Sequence, residues 1–437
     1  MKSFLLRQLQ LTLNSLAQRT LARFRPTVVA VTGSVGKSST KEAIFAVVSP
    51  FKRSRRSLGN FNGELGVPLT ILGDWSLAQL AVIGRDVTVV PTTTQKILFF
   101  LRVILTSMAR LAVPRRVAEL FARYPQVLVL EYAADKPGDI AYLVDIARPN
   151  IGIITAVGSV PVHVEFYDSP EAVLREKSRL IEAVVASGLA VLNADEQQVA
   201  NVQEKTRATA LTFGMSEKAD MRIMDFENKV EVIGGILRPT GITFKLAYDG
   251  AIVPVRIGGT LGPAQAYAAA AAACVGLAFN LNLVQIVDAL SYYQPPAQRM
   301  RFLAGIKHAT LIDDTYNASP LSMRLAVETV RSIKAKRKVG IVGDMRELGD
   351  FSKAAHRELG ELMAKTFDVL VAVGPASAVY AELALKHRFG KKNVWQAKTV
   401  DEILPRLRDI IEEGDLVMIK ASHSVGLQKA VVLLQEV

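Results

Sequence analysis

The sequence predicts an α/β protein. A central domain, with a parallel sheet of the phosphate-loop type and a small antiparallel sheet, precedes a Rossmann-like α/β domain. Three observations predict this. Short apolar runs of strand character alternate with helical stretches in both halves of the chain. One early run leads through a glycine-bearing turn straight into a helix. A length of 437 residues is too long for a single hydrophobic core.

Composition bounds the class of protein before any motif is considered. Half of the residues are hydrophobic and 22% are charged, which is typical of a globular protein. The single cysteine, Cys274, excludes a disulfide framework and a cysteine-based zinc site, and it fits a cytoplasmic protein. A net charge of +12 attracts anions. No long basic run or aromatic-basic interleaving is present, so we expect no nucleic-acid partner.

Residues 1–25 predict a basic amphipathic helix that carries five cationic side chains and no acidic one. It lacks the continuous apolar core and cleavage site of a signal peptide. Such a helix lies on a membrane surface or packs against the protein body, and the sequence leaves both open. Residues 97–113 are also apolar, but Arg102 and Arg110 interrupt them, so a spanning helix is disfavoured. Segments 1–24 and 97–113 are therefore the candidates for peripheral contact with the inner face of the membrane.

The central domain is predicted to span residues 26–296, with an insertion at about 75–125. Its predicted strands are Thr27–Thr32, Val127–Leu130, Ile151–Thr155 and Ala190–Asn193, and its predicted helices include Lys37–Val48, Asp139–Ala147, Pro170–Ala186 and Ala264–Phe279. Between residues 211 and 257, short alternating runs with turns at Gly234-Gly235 and Asp249-Gly250 predict the antiparallel sheet.

Residues 294–297 contain two prolines and predict a linker. After it, residues 297–437 form the second predicted domain. Its strands are predicted at Thr310–Ile312, Lys338–Val342, Val369–Val373 and Leu416–Ile419, with helices between them.

The turn after the first strand has the composition of a phosphate-binding loop. It is the run Thr32-Gly33-Ser34-Val35-Gly36-Lys37-Ser38-Ser39. Glycines let the backbone wrap phosphate oxygens, and the following helix N-terminus favours anions. Lys37 is suited to neutralise β- and γ-phosphates, and the Ser38 hydroxyl to contact Mg²⁺. Val31 stands where the full Walker pattern has a further glycine, so the loop is a shortened one. It predicts ATP and Mg²⁺ as ligands.

Together with this loop, an ordered set of short stretches resembles the Mur ligase family over residues 26–437, apart from the insertion. The stretches are Asn60-Phe61-Asn62, Gly66-Val67-Pro68-Leu69-Thr70, Glu131, Gly138-Asp139-Ile140, His163-Val164-Glu165-Phe166, Asn193-Ala194-Asp195, Arg299-Met300, the run 313–320, Gly343-Asp344-Met345 and Glu347-Leu348-Gly349. The resemblance implies an ATP-dependent ligase that joins a muramoyl-peptide carboxylate to an amino-acid or dipeptide amine, such as D-alanyl-D-alanine. The reaction passes through an acyl phosphate and serves peptidoglycan synthesis.

The expected catalytic and metal-binding groups combine residue chemistry with that resemblance. Glu131 ends an apolar strand, where a carboxylate is costly unless it binds Mg²⁺ or forms an ion pair. The resemblance implies that Glu131 and His163 hold magnesium. It also implies that Lys177 reacts with CO₂ to become a carbamate, an anionic metal ligand. We therefore expect Lys37, Glu131, His163 and Lys177 to be catalytic, and Ser38 to join the last three as a metal ligand.

Further side chains are expected to bind the nucleotide. These are Asn193, Arg299, Asp313, Asp314 and Asn317. Either aspartate of the acidic pair could accept from ribose hydroxyls or bind metal, and the sequence does not choose between them. The run 420–424 is a candidate site for the carboxylate of the amine substrate, with a polar loop as the alternative. His356 matches a histidine of the family, with no role that follows from the sequence.

The chain also departs from the family. Its members carry a whole domain before the phosphate loop that holds the UDP-sugar, whereas about 30 residues precede the loop here. We expect a different docking mode for the acceptor. Three alternatives remain at this stage: a poly-γ-glutamate-synthetase-like ligase, a folate-polyglutamate ligase and a catalytically inactive nucleotide-binding scaffold.

Overall fold

The computed structural model describes residues 2–59, 61–83, 92–114, 116–117, 123–233, 236–387 and 390–436. Asn60, the Gly234-Gly235 turn and parts of the predicted insertion lie outside these ranges. The helices are α1 (Lys2–Phe24), α2 (Lys37–Val48), α3 (Gly66–Leu72), α4 (Leu77–Leu80), α5 (Thr93–Ala112), α6 (Asp139–Ile146), α7 (Pro170–Glu182), α8 (Gln197–Ala200), α9 (Ala264–Ala278), α10 (Leu283–Ser291), α11 (Pro320–Ser332), α12 (Ser352–Ala364), α13 (Ala378–Lys386), α14 (Val400–Ile410) and α15 (Gln428–Leu434).

Two sheets organise the described chain. The strands are β1 (Thr27–Thr32), β2 (Ser54–Arg56), β3 (Val127–Glu131), β4 (Ile151–Ile154), β5 (Leu189–Asn193), β6 (Thr209–Gly214), β7 (Met221–Ile233), β8 (Ile236–Tyr248), β9 (Ala251–Gly258), β10 (Arg301–Ala304), β11 (Thr310–Asp313), β12 (Lys338–Gly343), β13 (Val369–Val373), β14 (Val394–Ala397) and β15 (Leu416–Lys420). The predicted α/β class is confirmed.

The first sheet has the order β2-β3-β1-β4-β5-β6-β7-β8-β9. Its strands run parallel from β2 to the short β6–β7 contact, and β7, β8 and β9 then pair antiparallel. The predicted antiparallel sheet is thus an extension of the parallel one, because β7 pairs with β6 through two residues. In the centre, Val31 of β1 lies opposite Glu131 of β3. This register brings Glu131 to the carboxyl end of the sheet, beside the loop that follows β1.

The second sheet has the order β10-β11-β15-β12-β13-β14 and is parallel except for β10. Its four central strands are those that the sequence predicts. The two edge strands, β10 and β14, were not predicted, because each has only four residues and carries almost no periodic signal. Helices cover both faces, as the two separate cores on this sheet show.

Close helix packing on the first sheet depends on alanine. Residues 268 to 273 of α9 are at most 1% exposed, and α9 packs against α2. Small side chains let the two helix backbones approach closely, which holds the start of α2 firmly on the sheet. The helix that carries the predicted phosphate loop is therefore buried on a rigid support.

The two apolar segments outside the sheets each have one packed and one exposed face. In α1, Leu13 and Ala17 are fully buried, whereas Phe4 and Leu5 are 62% exposed. The second half of α1 thus packs on the protein body and its first half projects. In α5, one side is buried, and the other exposes Ile97, Leu98, Leu101, Leu105 and Met108. Within the described residues, no helix combines the length and apolarity needed to cross a bilayer.

Candidate active site

A cavity of about 280 Å³ lies where the carboxyl ends of β1 and β3 meet loops of the second sheet. The nine-stranded sheet contributes the phosphate loop and the side chains of Glu131, His163 and Lys177. The six-stranded side contributes Arg299, Asp314, Tyr316, Asn317 and Lys420. Most of the residues predicted from distant parts of the sequence therefore line one space between the two sheets.

The phosphate loop has the backbone that its glycines permit. Gly33 has a φ of 146°, and a Cβ there would lie 2.0 Å from the Oγ1 atom of Thr155. Gly36 has a φ of 92° and begins α2 without a side-chain cap. The amides of Ser34 and Val35 donate to the carbonyl of Ala156 at 2.7 and 3.0 Å. These bonds tie the loop to the end of β4, and the uncapped first turn of α2 lines the cavity.

Lys37 and Glu131 form the electrostatic centre of this wall. The Nζ atom of Lys37 donates to the carbonyl of Gly33 at 2.8 Å, which folds the side chain back over the loop. Burial lowers the pKa of Lys37 from its ordinary value, although the carboxylate of Glu131 opposes the shift. Burial alone would raise the pKa of Glu131, but Lys41, Lys37 and the Asn62 hydrogen bond hold it below its ordinary value. Glu131 is therefore an anion although it is 2% exposed.

The two carboxylate oxygens of Glu131 differ in how they are satisfied. Oε1 accepts from Asn62 at 3.0 Å and from the Ser38 hydroxyl at 3.4 Å. Oε2 is buried without a hydrogen bond and lies 3.6 Å from the Nζ atom of Lys41. The sequence reasoning assigned no role to Lys41, although it lies one helical turn after Lys37, so both side chains share a face of α2.

Lys177 reaches the cavity from α7 and is 1% exposed. Its ammonium forms no hydrogen bond or ion pair with any described residue. Burial, followed by the charge of Lys37, lowers the pKa of Lys177 to about 7. A substantial fraction of this side chain is therefore a neutral amine near neutral pH, unlike an exposed lysine.

His163 connects the two sides of the cavity. Its Nε2 atom lies 3.3 Å from Oδ1 of Asp135, and its Nδ1 atom lies 2.7 Å from Oε2 of Glu347. The close contact with His163 lowers the pKa of Glu347. Neither Asp135 nor Glu347 was predicted as a site residue. Glu347 belongs to a stretch that resembles the family, but no sequence pattern indicates that it meets His163.

The wall from the six-stranded sheet is cationic. Arg299 stacks over the ring of Tyr316, 3.7 Å from its centroid, and donates to the Ser38 hydroxyl at 3.4 Å. Lys420 donates to Oδ2 of Asp314 at 2.6 Å and to the carbonyl of Asn317 at 2.9 Å. Arg299 thus links this wall to the phosphate loop directly.

Several predicted nucleotide-binding residues do not line the cavity. Asp313 accepts from the backbone amide and hydroxyl of Thr315, whereas its neighbour Asp314 faces the cavity. Of the acidic pair, then, the structure brings only Asp314 to the site. Asn193 accepts from the amide of Asp195, and Thr32 donates to the carbonyl of Tyr132. A direct nucleotide contact by Asp313, Asn193 or Thr32 stays a prediction.

His356 supports a loop and does not enter the cavity. Its Nε2 atom accepts from the amide of Met345 at 3.0 Å, and its ring stacks on Tyr380. Burial lowers the pKa of His356, so the ring is neutral and suited to accept. In the 420–424 run, the Ser422 hydroxyl accepts from the amide of Arg346. Both contacts hold the loop that carries Glu347.

The side chains at this site suit a metal ion that takes part of its coordination shell from the bound substrate and from water. No group of three or more histidine, cysteine, aspartate or glutamate side chains that could hold a metal is found in the described chain. Mg²⁺ at phosphate sites usually takes one or two carboxylates and completes its shell with phosphate oxygens and water. Glu131 fits that requirement, because its Oε1 atom accepts from Ser38 and its Oε2 atom has no hydrogen bond and only a 3.6 Å contact with Lys41.

Comparisons with known proteins agree over nearly the whole chain. Residues 31–276 match the Mur ligase middle domain, and residues 298–423 match the Mur ligase, glutamate ligase domain. The chain is 26% identical to UDP-N-acetylmuramoyl-tripeptide--D-alanyl-D-alanine ligase of Bacillus subtilis, over 96% of this chain and 78% of the relative. It is 29% identical to the enzyme of that name from Mycobacterium tuberculosis, over 92% of this chain and 71% of the relative.

Solved structures give the same picture. The MurF ligase from Thermotoga maritima in complex with ADP is 25% identical and superposes with a TM-score of 0.75, covering 97% of this chain and 83% of that one. Folylpolyglutamate synthase from Mycobacterium tuberculosis, complexed with ADP and AMPPCP, has a TM-score of 0.62 at 14% identity. It covers 96% of this chain and 95% of that one. The second likeness concerns the fold alone.

Proposed function

The chain belongs to the Mur ligase family, and we propose that it is an ATP-dependent ligase. It joins the carboxylate of a muramoyl peptide to D-alanyl-D-alanine or a similar amine, in the cytoplasmic stage of peptidoglycan synthesis. One observation carries this proposal: a glycine-turned phosphate loop with Lys37 shares one cavity with Glu131, Lys177 and the cationic groups of a second sheet.

The reaction has two steps. An oxygen of the substrate carboxylate attacks the γ-phosphorus of ATP, forms an acyl phosphate and releases ADP. The amine nitrogen then attacks the acyl carbon, loses a proton and expels phosphate. The chain supplies position and charge. The amides at the start of α2 hold the phosphates, Lys37 neutralises them, and Arg299 approaches from the other wall.

Magnesium is part of the proposal. Glu131 and Ser38 would hold the ion against the phosphates, and His163 with Lys177 would serve a second one. Bound Mg²⁺ would offset the negative charge that keeps a carboxylate away from the γ-phosphate.

Lys177 is proposed to act as a carbamate. The neutral amine attacks CO₂, forms an N–C bond and releases a proton, so a buried cation becomes an anionic oxygen ligand. A pKa of about 7 supports this, because only the neutral amine is nucleophilic. Removal of the buried positive charge also relieves repulsion from Lys37.

Water must be kept from the acyl phosphate. We propose that residues 26–296 and 297–437 are two domains that close over the cavity, with residues 294–297 as the hinge. Arg299 follows this segment directly and reaches Ser38, so closure and phosphate contact occur together.

The test is amide formation monitored by mass spectrometry. The purified chain is incubated with ATP, Mg²⁺, UDP-linked or lipid-linked muropeptides, and a panel of amines that includes D-alanyl-D-alanine. We expect one new amide product and one phosphate released for each ATP consumed. If no amine stimulates phosphate release with any acceptor, the alternative of an inactive nucleotide-binding scaffold takes its place.

The carbamate has its own test. Lys177→Ala is expected to lose most activity, and short carboxylic acids should restore part of it by placing an anionic oxygen in the vacated space. The matched control is Lys353→Ala, at an exposed lysine that does not line the cavity, which should neither lose activity nor respond to the acids. An absence of rescue at every acid concentration argues against the carbamate.

Peripheral membrane contact is the second part of the proposal, and it rests on α1 and α5. Both helices expose large apolar side chains, and their charged residues are all basic. A basic apolar face is suited to anionic lipid. Deletion of residues 1–24 would remove the buried Leu13 and Ala17, so a surface change is the better test. Leu101→Ser with Leu105→Ser should reduce flotation with anionic vesicles, whereas Val284→Ser, on another exposed apolar position, should not.

A further inference from the structure

The contact between His163 and Glu347 joins the two sheets at the edge of the cavity. His163 follows β4 of the nine-stranded sheet, and Glu347 follows β12 of the six-stranded sheet. Their Nδ1 and Oε2 atoms lie 2.7 Å apart. The backbones touch as well, because a Cβ on Gly349 would lie 3.1 Å from the Cβ of Glu165.

Both residues hold a backbone conformation that side chains normally avoid. His163 has a φ of 68° and Glu347 a φ of 64°. Left-handed conformations at residues other than glycine are unfavourable and persist where the surrounding structure imposes them, often at functional sites. Two such residues meeting through their side chains indicate that this contact is built into the fold.

The contact also decides which ring nitrogen faces the cavity. With Nδ1 turned to Glu347, Nε2 points toward Asp135, which lines the cavity beside the phosphate loop. Histidines that hold metals usually donate their other ring N–H to a carboxylate, which fixes the ring and its tautomer. Here the carboxylate that contacts Nδ1, at 2.7 Å and without the alignment of a hydrogen bond in this arrangement, is supplied by the opposite sheet.

We propose that Glu347 is a positioning residue that makes the metal-holding orientation of His163 depend on closure of the two domains. The inference rests on the proposed function, since it takes His163 as the group that holds a second metal ion. In an open arrangement Glu347 is withdrawn, and the imidazole is free to turn away. On closure Glu347 fixes Nε2 of His163 toward the phosphates. The metal charge that assists phosphoryl transfer is then complete only when the closed domains exclude water.

The experiment measures metal binding rather than turnover. Mn²⁺ replaces Mg²⁺ and is followed by electron paramagnetic resonance, with the full chain and the non-hydrolysable ATP analogue AMPPCP. Glu347→Gly removes the carboxylate and suits the left-handed backbone, so it adds no strain. Glu347→Gln keeps a neutral acceptor for Nδ1. The matched control is Glu361→Gln, which removes a surface contact of the same kind, 2.6 Å between His387 and Glu361.

We expect the wild-type chain to bind two Mn²⁺ ions with the analogue. Glu347→Gly should weaken one of them about 10- to 100-fold, the usual range for loss of such a partner. Glu347→Gln should fall between Glu347→Gly and wild type, and Glu361→Gln should match wild type. Thermal melting verifies that each variant is folded. Partial rescue by glutamine marks a role in orienting the ring, which loss of packing alone would not show.

Two outcomes overturn the inference: a folded Glu347→Gly variant that binds both ions as tightly as wild type, or a wild-type chain that binds a single ion. Neither measurement needs an acceptor or an amine. If both ions bind, Glu347→Gly loses one, and no amide forms with any substrate, then the inference stands and the proposed ligase reaction falls.

Discussion

The two walls of the cavity each contain buried lysine and carboxylate groups, but they differ in how completely these groups are satisfied. On the six-stranded side, Lys420 donates to both Asp314 and the carbonyl of Asn317, and Asp314 also accepts from the amide of Met300. On the nine-stranded side, Oε2 of Glu131 has no hydrogen bond and only a 3.6 Å ion-pair contact with Lys41, and Lys177 forms no hydrogen bond or ion pair with another described residue.

This difference separates a structural ion pair from a binding site. An unsatisfied buried polar group costs about 1–3 kcal/mol, so it persists where something outside the chain satisfies it. We infer that the nine-stranded wall holds the metal and phosphates. The six-stranded wall has satisfied its own buried charges, as the proposed closure that brings Arg299 to the loop requires.

The largest expected effect is on the nine-stranded wall. Lys37→Ala removes the buried cation of the phosphate loop, and we expect turnover to fall about 10³-fold, in the range seen when a charge-stabilising donor is lost. Lys353→Ala is the control for general loss of positive charge. Steady-state rates of phosphate release measure both. If Lys37→Ala keeps near wild-type turnover, the phosphates bind elsewhere, and the nine-stranded wall is not the phosphate-binding side of the cavity.

The second effect belongs to the six-stranded wall and concerns stability. Lys420→Met leaves Asp314 charged, buried and without its cation, so we expect unfolding to become easier by about 3 kcal/mol. Lys420→Met combined with Asp314→Asn should recover part of that loss, because no buried charge is then left over. Urea unfolding of the wild type and the two variants measures both changes in stability. Equal destabilisation in the single and double variants would contradict a satisfied pair.

Glu131→Gln is expected to weaken metal binding more than it lowers stability, whereas Lys420→Met mainly lowers stability. The amide keeps a carbonyl to accept from Asn62, and Lys41 keeps its contact with Glu42 at 3.5 Å. Unfolding should therefore become easier by less than the ~3 kcal/mol expected of Lys420→Met, while Mn²⁺ affinity with the ATP analogue falls about 10- to 100-fold. A loss of stability as large as that of Lys420→Met would show that Glu131 is a structural carboxylate.

The sequence could predict the nine-stranded wall of the cavity better than the six-stranded wall. A strand, a glycine turn and a helix are local, and the apolar strand that ends at Glu131 is local too. The parallel register that places Glu131 beside the loop then follows from β1 and β3 being neighbours. For the same reason, the helical spacing of Lys37 and Lys41 could have identified Lys41.

Contacts between the two sheets could not be predicted in this way. The meeting of His163 with Glu347 depends on how two domains pack across 184 positions of sequence, and nothing local encodes it. The choice between Asp313 and Asp314 depends on Thr315, whose amide and hydroxyl turn the first carboxylate away. Short edge strands such as β10 and β14 were missed because tertiary pairing, rather than propensity, makes them strands.

The last prediction tests whether Lys177 belongs with the unsatisfied groups of the nine-stranded wall. Its pKa is about 7 in the folded chain, against an ordinary value of 10.5 when unfolded. Between these values the unfolded chain binds a proton that the folded chain does not, so wild-type stability rises with pH. Lys177→Met lacks this group. Its stability relative to wild type should be greatest near pH 7 and should shrink as pH approaches 10, measured by urea unfolding in CO₂-free buffer. Lys353→Met, at an exposed position, should differ from wild type in free energy of unfolding by an amount that does not change with pH. A constant difference for Lys177→Met as well would mean that this lysine stays charged in the fold and has a partner, as Lys420 does.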